Sequence, residues 1–148
     1  MSTALLAGHD KPTQEVIVYN PDGSSQSSPY LSSQTPLISA SGNKANASAV
    51  ATLTPSATTT AYLSGFECTA AGATTGLPVV VTVAGILGGT LSYIFSFPAG
   101  ALLEAVNLLV EFNPPLPASA VNTPIVVTLP AGGTGNTNAA TVAHGFQQ

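Results

Sequence analysis

Charge is the scarcest property of this chain. Its 148 residues hold two lysines, no arginine and six acids, for a formal net charge of −4. Charged residues make up 5% of the sequence, against roughly 25% in a typical soluble domain. Nucleic-acid binding rests mainly on Lys and Arg neutralising phosphates. Lys11 and Lys44 are too few for that, and also too few for a polybasic membrane contact. A single cysteine, Cys68, leaves no intramolecular disulfide and no zinc cluster. Tryptophan is absent and tyrosine occurs four times, a thin supply of sugar-stacking aromatics. The longest apolar stretch, from Leu77 to Leu91, is broken by Pro78, Gly85, Gly88 and Gly89 and makes a poor membrane helix. The start, MSTALLAGHDKP, lacks a basic region and a long apolar run. The expectation is a protein made in the cytosol and left unprocessed.

Hydrophobic residues reach 45%, enough for a core. A soluble monomer normally stays dispersed through surface charge. With so little, the chain is expected to bury surface against copies of itself, because the centres of permanent interfaces are depleted in charge.

Two textures divide the sequence. Residues 1–45 carry both lysines, three of the six acids and the run PDGSSQSSPYLSSQTP. Pro29 and Pro36 favour extended backbone and forbid a long helix. Glu15 to Tyr19 is a short strand candidate, and Asn20-Pro-Asp-Gly23 reads as a tight turn. This segment is expected to be an extended N-terminal arm. Val16, Ile17, Tyr19, Tyr30, Leu31, Leu37 and Ile38 are apolar residues spaced through polar chain. A solvated linker does not need them, so they are read as anchors that bind a partner.

Residues 46–148 show short β-rich runs bounded by Gly, Pro and Asn. Strands are expected over 47–54, 60–70, 77–84, 90–97, 106–112, 123–129 and 137–146. Seven strands at this spacing, with turn chemistry between them, mark an all-β protein with an antiparallel β-sandwich, jelly-roll-like, of about seven to eight strands. A short helix over Ala101–Leu109 is the one helical option. Pro78-Val-Val-Val-Thr-Val83 is apolar on both faces, whereas a strand facing water alternates. Its outer face is expected to meet another subunit or the arm.

Nothing in the sequence assembles catalytic chemistry. His9 and His144 are the histidines, and no carboxylate is placed to orient either in a nucleophile–base set. Asp10, Glu15, Asp22, Glu67, Glu104 and Glu111 show no spacing that argues for a paired acid and base. Asp22-Gly23 supplies one acid where a calcium loop needs several oxygens. The run from Ala131 to Asn136 lacks the Lys-Ser/Thr of a phosphate loop. Cys68, beside Phe66 and Tyr62, reads as a buried inert thiol. The expectation is a structural protein, not an enzyme, without metal or cofactor.

The run TAYLSGFECTAAGATTGLPVVVTVAGILGGTLSYIFSFPAG, followed by FNPPLPAS and NTPIVVTLPAGGTGNTNAATVAHGF, resembles small β-rich virion proteins of tailed bacteriophages, of the capsid decoration or cement type. The match is carried by Tyr62 to Phe66, Gly88-Gly89, Pro115 to Ser119 and His144 to Phe146. The resemblance implies a homo-oligomer, commonly a trimer, that sits on the capsid surface of the virion, binds the major capsid protein and strengthens the shell against internal DNA pressure. The alternative is a head-fibre, neck or tail-tip sandwich that binds host glycan.

Overall fold

A computed structural model describes residues 36–100 and 106–148. These hold eight strands: β1 (Leu37–Lys44), β2 (Ala49–Leu53), β3 (Ala61–Ala71), β4 (Leu77–Ala84), β5 (Leu91–Phe97), β6 (Val106–Pro117), β7 (Ile125–Leu129) and β8 (Asn138–Gln147). They form two four-stranded sheets with the orders β1-β8-β3-β6 and β2-β7-β4-β5. Every neighbouring pair of strands is antiparallel. Eight strands split this way across two sheets make the jelly roll. No helix occurs among the described residues. Of the helical option over 101–109, the part from Val106 onward opens β6, and 101–105 lie outside the described residues.

The expected arm ran to residue 45, but its last stretch belongs to the sandwich. The chain divides between Gln34 and Thr35, and Leu37–Lys44 pairs along its length with β8. The reason lies in small side chains. Ile38 and Ala40 turn inward and pack against the core, while Ser39, Ser41 and Asn43 face out. Gly42 is the third inward position. A Cβ there would collide with the backbone carbonyl of Val50, so glycine lets β1 close over β2 at the edge of the sandwich.

The core interleaves large side chains with small ones. Leu53, Val81, Val83, Phe97, Ile125, Val127 and Leu129 come from the β2-β7-β4-β5 sheet and are buried. Opposite them, β8 presents Ala139, Thr141 and Ala143, all fully buried. Native packing density requires such volume matching, since voids forfeit dispersion contacts. The Thr141 hydroxyl lies 3.6 Å from the Cys68 sulfur, so the polar group in this row keeps a partner.

Strand β3 does not alternate as a simple strand would. Ala61 and Leu63 are buried, then Phe66, Cys68 and Ala70. The phase changes at Ser64: Leu63 faces Gly145, but Gly65 faces His144. One extra residue on β3 is a β-bulge, and it brings both Leu63 and Phe66 into the core. On the other side, Leu63 faces Leu116 and Gly65 faces Glu111. Phe112 to Pro115 therefore loop past Ser64. Prolines 114, 115 and 117 are tolerated because β6 is an edge strand.

At one end of the sandwich, Asn136 fastens three segments together. Its amide donates to the carbonyls of Ala71 and Asn138, each at 3.0 Å. Its Oδ1 accepts from the Asn46 N–H at 3.4 Å. Asn136 is 1% exposed. Replacing it with alanine removes three part-buried hydrogen bonds, although the Ala71 carbonyl keeps the Thr137 N–H, and should cost about 1 kcal/mol or somewhat more. Denaturant unfolding of Asn136→Ala should show a lower midpoint with an unchanged slope. An unchanged midpoint would mean these bonds are replaced by water.

Candidate functional site

The described charges are not spread evenly. Lys44, Glu67 and Glu111, with His144, all lie on the β1-β8-β3-β6 sheet. Among the described residues, the β2-β7-β4-β5 sheet and the loops carry no charged side chain. The outer face of that second sheet is the candidate interaction surface.

Its chemistry follows from alternation. In each of its strands one residue in two is turned into the core, and the others face out. The register sets Val50, Thr128, Thr82 and Ser92 in one outward row, and Thr52, Val126 and Ala84 in the next. Val80 stands beside Ile94, and Pro78 beside Ser96. Ile94 is 78% exposed. The face is thus aliphatic and hydroxyl-bearing throughout. The two-sided apolar run at Pro78–Val83 now has an explanation: Val79, Val81 and Val83 serve the core, and Pro78 and Val80 serve this surface.

The opposite outer face holds the groups with acid–base capacity. His144 Nε2 and Glu111 Oε2 are 3.6 Å apart, although β3 runs between their strands. Gly65 is the residue between them. A Cβ on Gly65 would sit 2.6 Å from the Glu111 carboxylate, so the missing side chain opens the path to His144. Both partners are substantially exposed. Exposed pairs of this kind contribute about 0–1 kcal/mol. Tyr62 and Phe146, directly opposite on β3 and β8, stack with ring centroids 4.9 Å apart and planes 5° from parallel. No group of three or more His, Cys, Asp or Glu side chains able to hold a metal ion occurs among the described residues.

Cys68 is buried in the core. Burial raises its thiol above the usual value of 9.0, partly offset by the hydrogen bond with Thr141. Because the folded state holds this proton more tightly than the unfolded chain, its contribution is complete below pH 9.0 and is lost as pH rises further. Thiolate is the reactive form, so a thiol reagent should label Cys68 only when the protein unfolds. Rapid labelling of native protein would contradict this burial.

The anchor residues expected from sequence fall into two groups. Val16, Ile17, Tyr19, Tyr30 and Leu31 lie outside the described residues. Leu37 and Ile38 are in β1, on opposite sides. Leu37 is 85% exposed and open to a partner, whereas Ile38 packs against the core. Sequence reading passed over the outward rows of β2 and β7, because Val50, Thr52, Val126 and Thr128 are ordinary strand formers. The signal that marks them is the missing charge.

Comparison of the chain with protein families, with curated proteins and with solved structures found no match.

Proposed function

We propose that the chain is a structural protein of a bacteriophage virion: a capsid decoration protein that joins the outer shell through its N-terminal segment and acts as an oligomer. The observation that carries the reading is the uncharged outer face of the β2-β7-β4-β5 sheet. A face that exposes Val50, Val80 and Ile94 among serines and threonines, with no charge, suits contact with protein. The sequence resemblance supports the virion setting, and jelly rolls are common in capsid proteins as well as in lectins. The division at Gln34–Thr35 supports a separate role for the first 34 residues, whose Val16, Ile17, Tyr19, Tyr30 and Leu31 would anchor on the major capsid protein, with exposed Leu37 continuing the contact. No catalytic step, metal or cofactor enters this role.

The experiment is cosedimentation of purified protein with heads that lack decoration, followed by heating to measure DNA release. Saturable binding and a higher release temperature are expected. Absence of both would sink the proposal. The glycan-binding alternative has weaker support: Phe146 is nearly buried beneath its stack with Tyr62, which leaves little aromatic surface for a sugar. Saturable signal on a glycan array would favour it.

A further inference from the structure

The sandwich has four edge strands, and three of them carry features that discourage further pairing. Strand β1 contains Gly42 and ends on Lys44. Strand β6 bulges, and it holds Glu111 and three prolines. Strand β2 is only five residues long. Short length, charge, proline and bulges are the usual means of blunting a sheet edge.

Strand β5 has none of these. It runs seven residues, Leu91-Ser-Tyr-Ile-Phe-Ser-Phe97, without charge or proline. Its register with β4 is unbroken. Among the described residues, β4 is its only ladder neighbour. Its other edge presents a row of backbone donors and acceptors next to the uncharged outer face.

The order of side chains in β5 indicates what would pair with it. By class, the strand reads the same in both directions about Ile94: apolar, Ser, aromatic, Ile, aromatic, Ser, apolar. Consider two copies of β5 laid antiparallel about a two-fold axis at Ile94. Ile94 then faces Ile94 of the second copy, and Ser92 faces Ser96. On the inner side, Tyr93 faces Phe95 and Leu91 faces Phe97. Every row matches like with like, as a self-complementary two-fold contact requires. The net charge of −4 offers little opposition, because the described acids of the sandwich lie on the other sheet.

We infer that β5 is a self-pairing edge, and that two copies of the chain join through it to make a continuous eight-stranded sheet. The inference stands apart from what meets the uncharged face, which edge pairing extends and leaves open, and it names a second copy of this chain as the partner of the β5 edge. The contact closes on itself, so it makes pairs and not the three-fold ring that the family resemblance implies.

Native mass spectrometry and sedimentation of the full chain should show a dimer. Ile94→Lys places two like charges face to face at the axis. It should weaken pairing by about 100-fold or more, with the circular dichroism spectrum unchanged because Ile94 points outward. Cysteine variants read the register without depending on that fold. Ile94→Cys should form a disulfide-linked dimer under mild oxidation, since facing residues on paired antiparallel strands lie within disulfide reach. Ser92→Cys should not, because its opposite residue is Ser96. A monomer or a trimer of the full chain, or equal cross-linking of the two cysteine variants, would overturn the inference. Shell binding is read in a separate assay. A dimer that does not bind shells leaves the pairing standing and sinks only the virion role.

Discussion

Phe66→Ala should destabilise the sandwich by about 3–5 kcal/mol. The ring is fully buried. It meets Tyr93 edge-on, with centroids 5.3 Å apart, and Phe112 at 6.3 Å. Domains of this size are stable by only about 5–15 kcal/mol, so this one change removes a large share. The melting temperature should fall by on the order of 15 °C. Leu63→Ala should cost about 2–5 kcal/mol for the same reason. The two results together test the bulge at Ser64. A regular strand puts residues 63 and 66 on opposite faces. Only the extra residue buries both, so a cost below about 1 kcal/mol at either position would contradict the register of β3.

Removing residues 1–34 should leave a folded sandwich and, on the proposed virion role, abolish binding to the shell. All eight strands lie within 35–148, and the cut spares β1. A cut at residue 45 would delete β1, together with the inward contacts of Ile38 and Ala40, and would confuse attachment with folding. Fully burying a large apolar side chain contributes roughly 1.5–3 kcal/mol. The deleted segment contains Val16, Ile17, Tyr19, Tyr30 and Leu31. Loss of even two of these contacts should weaken binding by at least about 100-fold, and more where several copies bind together. The measurement is cosedimentation with undecorated heads, alongside a thermal melt of the truncated protein. Undiminished binding would move the attachment to the sandwich, and a lost melt would make the segment part of the core.

Much of the fold was legible in the residues. The strand at Leu77–Ala84 was bounded correctly because Gly76 and Gly85 flank a β-branched run. The all-β class and the sandwich followed from turn chemistry between short strands. Strand β1 was hidden because LISASGNK has one large inward residue, Ile38. Its other inward positions, Ala40 and Gly42, are small, and small residues carry little hydrophobic period. Strand β6 was expected to stop at Asn113-Pro-Pro, because proline breaks a central ladder. It continues to Pro117, since an edge strand can bulge past those prolines. The phase change in β3 was not visible either: Ser64 has no property that separates it from any other outward serine, and the bulge is fixed by pairing with β8.

The candidate surface was half legible. The two-sided apolar run at Pro78–Val83 showed that some strand had an outward face unlike a solvated one. Which rows join it depends on the order β2-β7-β4-β5, a matter of long-range pairing. The separation of charge between the two sheets depends on the same order. In the sequence, Glu67 and Glu111 are merely sparse. In the fold they share one sheet with Lys44 and His144, and the other sheet is left neutral.

The most direct test of the virion role is a density map of undecorated heads incubated with the purified full-length chain. The role predicts added density on the outer shell, sized for the sandwich and joined to the shell surface through its N-terminal segment. Heads whose outer surface is unchanged at saturating protein would contradict it.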